Sequence, residues 1–225
     1  MRLFCVFAVI FPAYSRSYKN LTQSAVGELR CEDYASNVAD NSNQSDFPTQ
    51  LQGQLLLAGP SLREGTFRHS VILLAQHQVD LGAFGLILNH PTGKTVGDFL
   101  HGDEFASLQQ LQVHHGGPVA PDQLTFSSFW WSKKYGLRWA IRLSADAAVA
   151  QARRPGRIVR AYIGYSGWTA GQLENELRHS SWVATDPQPG LLGKEHDGNL
   201  WFELLRQVSP LHRILAEAPD DPSLN

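Results

Sequence analysis

Cysteine is almost missing from this chain: of 225 residues only Cys5 and Cys31 carry a thiol. Both lie in the N-terminal stretch, so a disulfide framework, a cysteine zinc site and a thiol mechanism are excluded for the body of the protein. The scarcity fits a reducing compartment without requiring one. A surplus of charge is missing too. Nineteen Lys and Arg stand against 21 Asp and Glu, for a net charge of −2. A broad electrostatic surface for nucleic acid is therefore not expected, although the composition leaves room for a local patch. No apolar run approaches the ~20 residues of a membrane-spanning helix, so no membrane span is expected. No internal repeat is present. His-Glu-x-x-His, Walker and dinucleotide fingerprints are also absent, and the expectation is a chain without metal or cofactor.

What is abundant is apolar side chain, 43% of the residues, enough for one substantial core. The N-terminus is ambiguous. Arg2 followed by the apolar stretch Leu3 to Phe11 resembles a short secretory signal, with Ala13-Tyr14-Ser15 as a mediocre cleavage site. That reading would export the protein. Short apolar N-termini are easily over-read, and a cytoplasmic protein with an appended leader is preferred. Residues 16–47 are polar and rich in Ser, Asn and Asp, too poor in large apolar groups to offset their ordering entropy. The division that follows is a flexible or leader segment over 1–47 and a single domain over 48–225, ordered from about Leu51.

Strand patterns dominate the domain. Strands are expected at Leu51 to Ala58, within Phe67 to Gln76, and at Phe84 to Asn89, the last stopped by Pro91. Val71-Ile72-Leu73-Leu74 reads as a strand covered on both faces. A short helix over Thr95 to Leu100 has Thr95 and Asp98 at capping-box spacing. Further strands are expected at Gln112 to His115, Leu124 to Trp131 and Leu137 to Leu143, with a turn at Lys133-Lys134. An Ala-rich helix follows from Ser144 to Arg153. Ile158 to Ile163 is a strand, Trp182 to Ala184 another, and a last helix runs from about Leu200 to Val208. Strands outnumber helices and the early ones lack helices between them. The class is α+β, a curved mainly antiparallel sheet or open barrel flanked by helices.

The segment Gly164 to Leu177 is the most motif-like in the chain. It reads as the end of a strand, a glycine-hinged turn, and a helix start at which Thr169 and Gln172 form a capping box. Ser166 in Gly-Tyr-Ser-Gly-Trp invites comparison with a nucleophile elbow, but the second glycine comes one residue early and Trp168 takes its place. Ser166 is therefore read as a turn or buried serine. Adjacent His114 and His115 point to opposite faces of a strand and cannot share an ion. His77, His90 and His115 have ligand chemistry without ligand spacing. Glu174 and Glu176, two apart on a helix, splay to different faces, with Glu174 toward solvent. Gly116-Gly117-Pro118 follows a strand, and if it meets the Gly164 segment, backbone amides and a helix start could receive a small anion or carboxylate. The candidate ligand-binding residues are Asn89, Gly116, Gly117, Gly164, Ser166, Gly167, Trp168, Thr169 and Gln172. The simpler account is that these glycines permit tight turns and close packing. Phe126, Phe129, Trp130 and Trp131 share one strand near Trp139, and one of the paired tryptophans should be less buried. Beside Lys133, Lys134 and Arg138 an exposed ring suits stacking on a partner or on single-stranded nucleic acid. Core packing, or an edge against a second protomer, is the plainer reading.

Several phrases in a fixed order carry a resemblance. They are Gly53 to Ala58, Arg68 to Leu74, Gly85-Leu86-Ile87-Leu88-Asn89-His90-Pro91, Gly116-Gly117-Pro118-Val119, and Gly164 to Leu177. Together they resemble the bacterial YqgE/AlgH family over roughly residues 51 to 210, and the ending Asp221 to Asn225 is similar to tails found there. The resemblance implies an α+β domain with a barrel-like sheet and a cytoplasmic protein of a group often labelled transcriptional regulators, with no established reaction. Two departures stand out. Many members have Cys where this chain has Ala75, two before His77, and Asn-Arg-Pro is here Asn89-His90-Pro91. The expected function is regulation by binding a protein or small ligand, without catalysis. The alternatives are an enzyme or carrier using the glycine-turn crevice and a weak nucleic-acid binder. A helix-turn-helix pattern and a basic recognition helix are both absent, which argues against DNA.

Overall fold

Two apolar runs without alternation, Leu55 to Ala58 and Val71 to Ala75, demand strands covered on both faces, and every residue in them is buried. The computed structural model describes residues 29–30, 50–59, 62, 64–193 and 199–217. Its strands are β1 (Leu29–Arg30), β2 (Leu55–Ala58), β3 (Val71–Gln78), β4 (Gly82–Ile87), β5 (Pro91–Thr95), β6 (Gln112–His115), β7 (Val119–Ser132), β8 (Gly136–Leu143), β9 (Arg157–Trp168) and β10 (Trp182–Thr185). They form one curled sheet in the order β1-β8-β7-β9-β4-β3-β2-β10, with β6 against β9 and β5 against β6. Only the β6–β9 pairing is parallel among these strands. The helices are α1 (Ala145–Ala152), α2 (Gln172–Arg178), α3 (Leu200–Val208) and α4 (Pro210–Glu217), with 3-10 turns at Val96–Asp98 and Asp103–Leu108. The architecture is α+β: a half-barrel, mainly antiparallel, flanked by helices.

The sheet lies between two cores. Inside the curl, Leu56, Ile72 and Leu86 meet Phe129, Trp139 and Tyr162, and α3 closes the β2 end with Trp201, Leu204 and Leu205. The Trp201 indole donates to the Ala58 carbonyl at 3.0 Å, so the helix is fixed to the strand end. Outside the curl, Phe126, Val159 and Ala161 are covered by Ala148 of α1 and by Val96 and Leu108 of the 3-10 turns. Small alanines on α1 let it sit close to the sheet. Its N-cap is Ser144, whose hydroxyl accepts from the Ala147 amide. Thr95 and Asp98 make the expected capping box.

Several expectations need correction. The first domain strand begins at Leu55, since residues 52 and 53 make a turn. The third runs over Gly82–Ile87, leaving Asn89 beyond its end. Pro91 opens a strand instead of stopping one. Among the described residues β5 pairs only with β6, so the missing proline amide falls at the first position of an edge strand, where it costs little. β7 starts at Val119, five residues early, because β9 continues past Ile163 and gives Val119 a partner in Tyr165. Leu29–Arg30 pairs with β8 inside the stretch expected to be an arm, and the rest of 1–47 lies outside the described residues. A further helix, beyond those the sequence pattern marks, runs over Pro210–Glu217.

Candidate functional site

The expected glycine-hinged turn at Gly164 is instead a kink in an unbroken strand. β9 runs through to Trp168, and Gly164 holds a left-handed φ of 68° within it. The kink marks a change of neighbour. Up to Ile163, β9 has β6 beside it; from Ser166 it has β4. β6 ends at His115, and Gly116-Gly117 crosses directly over the kink. The Gly116 amide donates to the Ile163 carbonyl at 2.8 Å, while its carbonyl accepts from the Ile87 amide at 3.1 Å. The Ser166 hydroxyl donates to the same carbonyl at 3.1 Å. A β-carbon on Gly116 would fall 2.2 Å from the Gly164 oxygen, and one on Gly164 would fall 2.4 Å from the Gly117 oxygen. The two glycine segments therefore do meet, backbone on backbone. The Gly116 amide that an anion would need is already bonded.

Next along the chain, Trp168, Thr169 and Gln172 form a second group where β9 passes into α2. The N-cap position is Gly171, not Thr169. Gln172 Oε1 still accepts from the Thr169 amide and hydroxyl, each at 3.1 Å, so half of the expected box survives, with Thr169 two residues ahead of the N-cap. The carboxylates of α2 overturn the expectation for Glu174. It faces His77 on β3, with Oε1 2.7 Å from Nε2 and a side chain only 19% exposed. The Leu51 amide donates to His77 Nδ1 at 3.2 Å, so the ring proton sits on Nε2 and goes to Glu174. Both ring nitrogens are thereby occupied and neither is available as a general base. Glu176 accepts two indole N–H groups on Oε2, from Trp168 at 2.9 Å and Trp182 at 2.7 Å. Its Oε1 accepts from Gln172 Nε2 at 2.9 Å. Helix α2 is thus pinned to β3, β9 and β10 by two carboxylates, a role the sequence reading missed. The available signal was the pair of tryptophans flanking the helix, whose buried N–H groups must find acceptors.

Asn89 belongs to neither group. Its Oδ1 accepts from the Val71 amide and its Nδ2 donates to the His69 carbonyl, both at 2.8 Å, and the residue is buried. His69 holds a φ of 52° and stacks on Trp201 with centroids 4.3 Å apart. Next to Asn89, burial and then the neighbouring charge of His115 hold the His90 imidazole below its usual pKa; carbonyls of Arg68 and His69 oppose this. His77 is elsewhere, on the α2 carboxylate, so His77, His90 and His115 do not converge. Among the described residues no group of three His, Cys, Asp or Glu is placed to hold a metal ion. Arg160, also missed, is buried in β9 and donates to the carbonyls of Leu88 and Leu192. Of the paired tryptophans, Trp131 is exposed and Trp130 half-buried, while Phe126, Phe129 and Trp139 are in the cores.

A family profile described as AlgH-like matches residues 55–212. A UPF0301 protein of Streptomyces avermitilis is 32% identical over 189 residues, covering 79% of this chain and 96% of the relative. One from Chlorobium limicola is 30% identical, covering 80% of this chain and 99% of the relative. The solution structure of the AlgH protein from Pseudomonas aeruginosa is 26% identical, covers 79% of this chain and 99% of that one, and superposes with a TM-score of 0.53. The crystal structure of a Corynebacterium diphtheriae protein, 19% identical, is alike in fold alone, with a TM-score of 0.57 over 77% of this chain and 94% of that one.

Proposed function

The chain belongs to the AlgH-like family, and from that premise we propose that it works by binding, as a cytoplasmic regulator engaging a protein or small ligand, and not by catalysis. One observation carries the reading. The polar side chains of the motif-like segment best suited to chemistry are bonded to the fold itself: Ser166 to Gly116, Trp168 to Glu176, Gln172 to Thr169 and Glu176, and Glu174 to His77. A nucleophile needs a base within hydrogen-bond reach. Ser166 donates to a carbonyl, and His77 is held by a backbone amide and a carboxylate. Scarce cysteine supports the cytoplasm. The described residues hold no helix long and apolar enough to cross a membrane.

A small-ligand version of this proposal uses the solvent side of the same segment. Ser166, Trp168 and Gly164 are buried, whereas Thr169 is exposed and Gln172 and Gly167 are half-buried. A ligand would therefore meet Thr169 and Gln172. The test is a thermal-shift screen with nucleotides and small anionic metabolites. A ligand held at about 100 times its Kd stabilises by about 2.7 kcal/mol, and the gain should vanish in Gln172→Ala. A serine-reactive fluorophosphonate should leave the protein unlabelled. Labelling that disappears in Ser166→Ala would replace the binding reading with a hydrolytic one.

A further inference from the structure

Charge that is balanced over the whole chain is not balanced along it. Residues 123–173 carry eight Lys and Arg against the single carboxylate of Asp146, a surplus of seven in a chain whose net charge is −2. The fold gathers most of these cations at one end of the half-barrel. Strand register sets Trp130 of β7 opposite Arg138 of β8 on one side and Arg157 of β9 on the other. The β7–β8 turn, with exposed Lys133 and Lys134, therefore lies at the same end as the turn from α1 into β9, with exposed Arg153 and Arg154. Asp146 is in the first turn of α1, at the opposite end of that helix from Arg153.

Aromatic rings are interleaved with these cations. The Arg157 guanidinium lies 3.4 Å from the Trp130 ring centroid. Tyr135 has Lys134 Nζ at 4.8 Å and the Arg138 guanidinium at 5.5 Å from its ring. Tyr135 is 62% exposed, leaving apolar ring surface in water beside positive charge, and Trp131, 39% exposed, stands at the same end of β7 on the face opposite Trp130. We propose that this end of the sheet is a docking surface for single-stranded nucleic acid, with the cations on phosphates and Trp131 and Tyr135 stacking on bases. Guanidinium groups match phosphate geometry through paired N–H donors, and a ring face accepts any unpaired base. An acidic peptide would satisfy the charge but leave both rings in water. A duplex would offer phosphates with its base faces already stacked. The proposal goes beyond the protein or small ligand of the binding reading above and stands on this separate surface.

The test is fluorescence anisotropy of a labelled single-stranded RNA titrated with the full chain at about 50 mM and about 200 mM salt, where phosphate contacts give a linear loss of log affinity with log salt. Lys133→Gln with Lys134→Gln should weaken binding and flatten that salt slope. Trp131→Ala or Tyr135→Ala should weaken it about tenfold at either salt concentration and leave the slope unchanged. These residues are at the surface, and unchanged melting temperatures would show that the variants fold. No binding at the lower salt overturns the proposal, as does binding that all these variants leave intact. Equal affinity for a poly-glutamate peptide would reduce the surface to a charge patch, and tighter binding of the matching duplex would reject the stacking role. Failure here leaves the non-catalytic reading standing, whereas fluorophosphonate labelling of Ser166 would remove that reading without touching RNA binding.

Discussion

Glu176 shows how one side chain can organise a region. Its carboxylate receives the indoles of Trp168 and Trp182, both buried, and the amide of Gln172. Hydrogen bonds to a charged acceptor contribute about 1.5–3 kcal/mol each, and an orphaned buried donor adds its own desolvation cost. Glu176→Ala should therefore lower unfolding free energy by about 3 kcal/mol or more, read from urea denaturation. Glu176→Gln keeps an acceptor oxygen and should lose roughly half as much. His90 supplies a pH dependence. Burial and the charge of His115 depress its pKa in the folded state, so the unfolded chain takes up the proton more readily. Stability is retained above the ordinary histidine value of 6.5 and lost as pH falls below it. Melting temperatures measured from about pH 7.5 to about pH 5 should fall less steeply for His90→Gln than for the parent protein. A parallel fall in both would assign the loss to other groups.

At the scale of elements, β9 carries the fold from one half of the curl to the other, and its kink makes the change of neighbours possible. Gly164 and Gly171 provide a matched comparison, with φ of 68° and 72°. Nothing lies within 4 Å of a β-carbon built on Gly171, whereas one on Gly164 would strike the Gly117 carbonyl oxygen at 2.4 Å. Gly171→Ala should then show only the cost of a left-handed alanine, about 1–2 kcal/mol. Gly164→Ala adds a backbone clash that cannot relax without moving β6 or β9, for a total of about 3 kcal/mol or more. Denaturation midpoints for the two variants measure the difference. Equal losses would mean that the crossing of Gly116-Gly117 over β9 yields to an added methyl group.

For the whole molecule, the central feature is that β7, β8 and β9 present one face to the inner core and the other to the outer one. Phe129 and Trp139 point inward; Phe126, Ala140 and Val159 point outward. Neither core can be lost without unpairing strands that the other needs. Leu56→Ala inside the curl should cost about 2–5 kcal/mol and Phe126→Ala outside it about 3–5 kcal/mol. Both should shift one common transition, seen together by tryptophan fluorescence and far-UV circular dichroism. Separate transitions in Phe126→Ala would show that α1 and its core melt independently.

Elements with a local cause were legible without coordinates. Doubly buried β2 and β3 follow from unbroken apolar runs, α1 from its alanines and Ser144, and the capping box from Thr95 and Asp98. The family, too, could be read from the order of its phrases. Glu174 lies 97 residues from its partner His77, and Ser166 lies 50 from Gly116. Periodicity reports only which face of an element is apolar, so it cannot tell a solvated carboxylate from one aimed at a buried ring nitrogen. The same limit turned a kinked strand into an apparent turn, because a left-handed glycine ends a strand or bends it according to what lies alongside. The alternation of apolar residues determined the strands and the class of fold. Only the closing of the curl decided that Gly116 crosses Gly164, that α2 hangs on two carboxylates, and that Arg157 lies on Trp130, since each depends on groups that local sequence does not bring together.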